Sequence, residues 1–394
     1  MNSISDPKIA LLRDLVEIPS GTSNIEGVNR VQKRIADELQ AMGSQTRLHD
    51  NDQGPNASAQ FLIGEFPGKG PRIVNLVSHA DTVFELESGF LHFHYDPATG
   101  LASGPGVIDD KGGIVVAIEG LRRWLKRTPI SDRKLTVRFL CAPNEETGST
   151  GFHSLLSRLG KDSWLALGFE PAMEDGSVVR SRVGNRWYKI RVEGQAAHSG
   201  RHLNRGVNAA HELAFKLVEL QRLNHTPTDN PSDEVTLSTS SLGGGSGKYN
   251  IVCADAEAKI DVRFSSFEGR DRAHHEIESI VNKSHIPASI TGREPRSSYE
   301  VADDCPPFSE TDESVRLMEI YIELVEKLES RKISSSKCGG AADVNYMSRP
   351  GLHIIDGLGA YGGGMHRDDE HIQVSSLETR SEALALFLER LNSL

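Results

Sequence analysis

Strand and helix patterns alternate along the first half of this chain, and that alternation limits its fold more than any other feature. The run 72–78 (RIVNLVS) is short, apolar and β-branched, and reads as a buried strand. Residues 134–141 (KLTVRFLC) read as a second strand and 164–169 as a third. A helix is expected over 24–42, where Val28, Val31, Ile35, Leu39 and Met42 recur at helical spacing, and another over 112–126. Strands that alternate with helices imply an α/β fold whose sheet is mainly parallel and flanked by helices.

The middle of the chain changes character. An alternating strand at 186–192 is followed by a helix at 207–222, strands at 234–241 and 251–264, a helix at 270–283 and a strand near 286–290. The order β-α-β-β-α-β is that of a ferredoxin-like unit. The α/β pattern then returns with a helix at 310–330, a strand at 352–355 and a closing helix at 375–392. At 394 residues the chain exceeds the size at which one core stops growing. The expected division is 1–182 and 296–394 as one α/β domain, with 183–295 inserted as a second domain.

The formal net charge is −11, which argues against nucleic acid or an anionic membrane as the main partner. No apolar run reaches the roughly 20 residues needed to span a bilayer. Residues 1–18 read as an amphipathic helix without the basic end of a signal peptide. Cys141, Cys253, Cys305 and Cys338 show no metal-binding spacing and are expected to be free thiols, so the protein is expected in the cytoplasm.

Five potential metal ligands fall just beyond strands or in glycine-rich turns. His79 sits in SHAD, and Asp109 in GPGVIDDKGG beside Asp110 and Lys111. Glu145 and Glu146 sit in NEETGS, Glu170 in FEPA, and His366 in GLGAYGGGMH. Sites in open α/β sheets form beyond the carboxyl ends of strands, which lets residues remote in sequence converge. Two histidines and three carboxylates suit zinc, and one bridging Asp lets two ions share five ligands. Of the adjacent Glu145 and Glu146, one can bind metal while the other faces a water as general base. Asp81 can accept the second ring N–H of His79 and fix its tautomer.

SHADT, GPGVIDDKGG, NEETGS, FEPA, AAHSG and GGGMH resemble, in this order, the motifs of the zinc peptidase family of glutamate carboxypeptidase (carboxypeptidase G), succinyl-diaminopimelate desuccinylase, acetylornithine deacetylase and aminoacylase. The resemblance implies that His79, Asp109 and Glu170 hold one zinc and that Asp109, Glu146 and His366 hold the other. Cobalt or manganese are possible substitutes. It makes Glu145 the base and Asp81 the support of His79. It implies that 1–182 and 296–394 form the catalytic domain, that 183–295 is the inserted lid and dimerisation domain, and that His198 stabilises the oxyanion from the partner subunit of a homodimer. Asn250 and the turn at Gly339 and Gly340 would contact substrate, and Arg293 or Arg296 would clamp its carboxylate. A glutamate at position 170 accompanies carboxypeptidases and deacylases in that family, where aspartate accompanies aminopeptidases and dipeptidases. Asp109-Asp110-Lys111-Gly112 stands where the family usually has Asp-Met-Lys-Gly, a form that the carboxypeptidase G branch resembles.

The expected activity is therefore hydrolysis of a small peptide or N-acyl amino acid next to a free carboxylate. Two other readings are separable. A dipeptidase or aminopeptidase would cleave free-amine dipeptides in preference to N-acylated ones. A non-catalytic, metal-dependent binding protein would carry the ligands without turnover.

Overall fold

A computed structural model describes residues 6–225 and 234–394. Contacts divide the chain into two units, Met1–Arg182 with Ser309–Leu394, and Val183–Phe308.

The first unit is built on a six-stranded sheet in the order Gln45–His49, Phe61–Phe66, Thr136–Ala142, Ile73–His79, Leu165–Gly168, His353–Ile355. The last four are mutually parallel, while the first two pair antiparallel. The strand Ile73–His79 is buried almost throughout, as its apolar run requires of a strand covered on both faces. The helix Ile25–Ala41 starts where the Asn24 side chain accepts the Gly27 N–H, and it buries Val28, Val31, Ile35 and Leu39. Helices Lys111–Arg127 and Ser375–Ser393 share the core through buried Ile118, Leu121, Trp124, Leu384, Phe387 and Leu388. Each such side chain contributes roughly 1.5–3 kcal/mol on leaving water. The helix expected over 1–18 spans Pro7–Val16, and its first five residues lie outside the described ones.

Sequence reading passed over several elements of this unit. The strands Gln45–His49 and Phe61–Phe66 extend the sheet antiparallel, and the helix His153–Lys161 follows the glutamate pair. Val178–Arg182 pairs in parallel with Ser335–Cys338.

The second unit is a four-stranded antiparallel sheet in the order Val235–Gly244, Asp255–Phe264, Gly184–Glu193, Arg296–Cys305, with helices Ala209–Leu220 and Phe267–Asn282. Its order along the chain is β-α-β-β-α-β. One strand differs from expectation. Residues 286–290 form no strand, because Pro287 has no N–H to give to a ladder and the buried Glu212 carboxylate takes the N–H groups of His285 and Ile286. The fourth strand is Arg296–Cys305 at the sheet edge, so the unit runs on to Phe308 and not to 295. Its acidic, half-exposed sequence (RSSYEVADDC) carries little of the apolar alternation that marks a strand.

Candidate metal centre

The parallel strands deliver their following residues to one edge of the sheet. Ile73–His79 ends on His79 itself and leads to Asp81, Thr136–Ala142 leads to Glu145 and Glu146, and Leu165–Gly168 leads to Glu170. Asp109 arrives from the loop before helix Lys111–Arg127. Gly113 permits this approach: a Cβ there would lie 2.0 Å from Asp110 Oδ1 and 2.1 Å from the Phe169 carbonyl oxygen. His366 sits in the turn between the paired segments Gly362–Gly363 and His371–Gln373. Gly364 enters that turn at φ +72°, where any Cβ would meet the Asp369 backbone. His366 itself adopts φ +64°, a conformation that costs an L residue about 1–2 kcal/mol.

Asp109 is the centre of the cluster. Its Oδ1 lies 3.0 Å from His79 Nε2 and its Oδ2 lies 3.0 Å from His366 Nε2, so the two carboxylate oxygens face two different imidazoles. Glu170 Oε1 stands 3.8 Å from His79 Nε2, and Glu146 Oε2 stands 3.5 Å from His366 Nε2. Donor atoms of His79, Asp109 and Glu146 all lie within 4.8 Å of one another.

Asp81 organises more than one neighbour. Its backbone oxygen accepts from His79 Nδ1 at 3.1 Å, which turns His79 Nε2 toward Asp109. Its carboxylate accepts the backbone N–H of Glu145 at 3.0 Å and of Glu146 at 3.2 Å, and the Thr22 hydroxyl at 2.7 Å. One buried aspartate thus orients the histidine and fixes the segment that carries both glutamates.

The electrostatics point to a missing positive charge. Burial, followed by the charge of Asp109, pushes Glu146 up to about 7 and Glu170 up to about 8. Burial and the nearby Glu170 raise Glu145 well above the usual carboxylate range. Burial opposes ionisation of Asp109, yet hydrogen bonds from His366 and His79 hold it well below that range. Hydrogen bonding to Asp109 lifts His366 to about 9. Glu146 Oε1 is buried with no hydrogen-bond partner. Acids that crowd together away from water and leave an oxygen orphaned are the donor set that divalent cations satisfy. The residues therefore fit the metal that the motifs imply.

A cavity of about 510 Å³ opens beside Glu170, lined by Ile108, Met173, Val179, Arg182, Cys338 and Met365 among others. Arg182 is spent within the fold: it pairs with buried Asp356 at 2.5 Å and donates to the Gly340 carbonyl at 3.1 Å. Gly339 and Gly340 are exposed in the turn after Ser335–Cys338.

In the second unit, His198 and Asn250 lie on adjoining exposed segments. His198 bridges to Ile251, and the Ser199 N–H donates to the Asn250 carbonyl at 3.0 Å. His198 Nδ1 accepts the Gly200 N–H at 3.2 Å, so the neutral ring carries its proton on Nε2. Arg293 and Arg296 are exposed and make no ion pair among the described residues.

Two supporting residues escaped sequence reading. Glu370 is fully buried, and its Oε1 accepts the N–H groups of Ile108 at 2.9 Å and Asp109 at 3.3 Å, pinning the Asp109 loop from 261 positions away. In the sequence it is the last acid of an Arg-Asp-Asp-Glu run whose first three residues are exposed, and it carries no signal of its own. Thr22 likewise looks like an ordinary loop residue. The four cysteines are free, and no helix among the described residues is long and apolar enough to cross a membrane.

Comparison with known proteins agrees with this geometry. The sequence profile described as Peptidase family M20/M25/M40 matches residues 76–390. The chain is 26% identical over 374 residues to carboxypeptidase G2 of Pseudomonas sp. (strain RS-16), covering 94% of this chain and 86% of the relative. It is 25% identical over 401 residues to succinyl-diaminopimelate desuccinylase of Gluconacetobacter diazotrophicus, covering 98% and 97%. In fold it resembles a tripeptidase from Staphylococcus aureus with a TM-score of 0.77 at 18% identity, covering 98% of each chain. The chain belongs to Peptidase family M20/M25/M40 and is a hydrolase.

Proposed function

We propose that the protein is a dinuclear zinc hydrolase that cleaves a peptide or N-acyl amide bond next to a free carboxylate, as a carboxypeptidase or N-acyl-amino-acid deacylase does. The observation that carries this reading is Asp109, whose two oxygens face His79 and His366 at 3.0 Å each. In this reading His79, Asp109 and Glu170 hold one ion, and Asp109, Glu146 and His366 hold the other. Nitrogen and oxygen donors suit zinc, and cobalt or manganese accept the same set. When bound, such a pair of ions polarises the scissile carbonyl and acidifies a water.

The remaining work belongs to the chain. Glu145, its backbone fixed by Asp81, takes the proton of the attacking water and returns it to the leaving amine. His198 presents its Nε2 proton to the oxyanion, from the second copy of a homodimer. Arg293 or Arg296, with Asn250 and the Gly339–Gly340 turn, receives the substrate carboxylate, since a guanidinium pairs with it bidentately. Four free thiols favour a cytoplasmic enzyme.

The test is a panel of N-acyl amino acids, peptides ending in glutamate and free-amine dipeptides, assayed with and without chelator. The proposal expects chelator-sensitive cleavage of the first two classes. Preference for free-amine dipeptides would assign the chain to the aminopeptidase side of the family. Glu145→Gln should retain metal and lose about 10²–10⁴-fold in kcat. A normal rate in that variant would remove Glu145 from its role as base. Mixing Glu145→Gln with His198→Ala subunits should restore about a quarter of wild-type activity, because half of randomly paired symmetric dimers contain one complete site. No recovery on mixing would exclude action across subunits.

A further inference from the structure

A second charged concavity lies in the first unit, on the antiparallel side of its sheet. The register sets Arg47 opposite Ile63 and Arg138 opposite Glu65, so Arg47, His49, Glu65 and Arg138 stand on one face. The helix His153–Lys161 adds Arg158 between buried Leu155 and Leu159. Together they enclose a cleft of about 190 Å³.

Its charges do not balance. Glu65 is the one acid lining the cleft, and Arg138 Nε already occupies it at 2.7 Å. Arg138 Nη1 is buried with no partner, which is a costly state for a guanidinium N–H. Arg47 and Arg158 make no ion pair among the described residues. Burial, followed by the charges of Arg158 and Arg47, lowers the pKa of His49, so both guanidinium groups bear on the same spot. This excess arises in a chain whose net charge is −11. Protection of an exposed sheet edge accounts for Arg47 on the edge strand. It does not account for Arg158, which is on a helix.

We propose that this cleft binds a small tetrahedral dianion of the sulfate or phosphate type. Three arginines against one glutamate leave two positive charges, which one dianion neutralises. Planar guanidinium forks match tetrahedral oxyanions, and Ile63, Leu155 and Leu159 form an apolar floor beneath them. Nothing in the hydrolytic chemistry requires this site.

Isothermal titration of the metal-loaded, full-length protein with sodium sulfate at constant ionic strength tests the proposal. Wild type should show one saturable site. Arg158→Gln should bind about tenfold more weakly, as loss of one charge-assisted contact requires, and the pair Arg47→Gln with Arg158→Gln should show no saturable binding. Both changes lie on exposed side chains, so unfolding midpoints in sulfate-free buffer should match wild type. Parallel titrations with inorganic phosphate and glycerol 3-phosphate separate the sources: equal affinity assigns the free ion, and tighter binding of the ester assigns the head group of a small phosphate ester. The proposal fails if wild type shows no saturable binding, if the arginine variants bind sulfate like wild type, or if succinate binds more tightly than sulfate.

Discussion

Two groups of buried charges, one in each unit, obey the same electrostatics and reach opposite states. In the second unit, Glu212 and Lys216 are fully buried and meet at 2.8 Å. Lys216 Nζ also donates to the carbonyl oxygens of Ile280 and Val281, at the end of helix Phe267–Asn282, and of Lys283 just beyond it. Glu212 accepts the N–H groups of His285 and Ile286. Every charge there has a partner within the chain. In the first unit, Asp81, Asp109, Asp110, Glu145, Glu146 and Glu170 gather around His79 and His366, with buried Lys111 acting on Asp81 and Arg182 on Glu170, so acids still outnumber cations, and Glu146 Oε1 has no partner. The balanced group ties a helix end to its neighbour. The unbalanced group is left short of positive charge, which marks it as a place for cations and chemistry.

Breaking the balanced group should have the largest effect on stability. Lys216→Met leaves Glu212 buried and unpaired, and should cost about 3–5 kcal/mol in denaturant unfolding. Adding Glu212→Leu should recover much of that loss, because a buried pair replaced as a whole is often nearly neutral. Full retention of stability in Lys216→Met alone would show that the pair is not a constraint. The pair also has a pH signature. Burial opposes ionisation of Glu212, but its bonds to Lys216 and to the His285 N–H lower its pKa below the usual value. A depressed pKa contributes stability above the unfolded value near 4.3, and that contribution is lost as pH falls further.

In the unbalanced group, Asp81→Ala should lower kcat or metal affinity by about 10–100-fold, as loss of a ligand's support does elsewhere. Equal kinetics and metal content in that variant would contradict the role of its carboxylate in holding the Glu145–Glu146 segment. Glu170→Gln should invert the usual sign of a buried mutation. In chelator, relief of crowding among the acids should stabilise the metal-free protein by about 0.5–2 kcal/mol while metal affinity falls. Destabilisation under the same conditions would mean that the group is already balanced. The smallest effect belongs to the surface: Arg127→Ala breaks a partly exposed pair with Glu382 and should change stability by less than about 1 kcal/mol.

Legibility in the sequence followed the range of the interactions. The strands at 73–79 and 136–142 and the helix at 25–41 announce themselves by local periodicity, and ligands just beyond strand ends are visible once the strands are. The strand Arg296–Cys305 was hidden because an edge strand with acidic outward residues lacks an apolar alternation, whereas the apolar residues of 286–290 were misleading beside Pro287. Glu370 and Thr22 owe their roles to partners 261 and 59 positions away, which no spacing within the chain encodes. The double duty of Asp81 was half visible: a spacing of two brings its carboxylate within 3.3 Å of His79 Nδ1, although the hydrogen bond at 3.1 Å goes to its backbone oxygen, and its hold on Glu145 and Glu146 exists only after folding.

Anomalous diffraction at the zinc edge from crystals of the metal-loaded protein tests the central claim most directly. The account predicts two peaks per chain, one beside His79 and Glu170 and one beside His366 and Glu146, with Asp109 between them. A single peak, or two peaks that do not share Asp109, would contradict it.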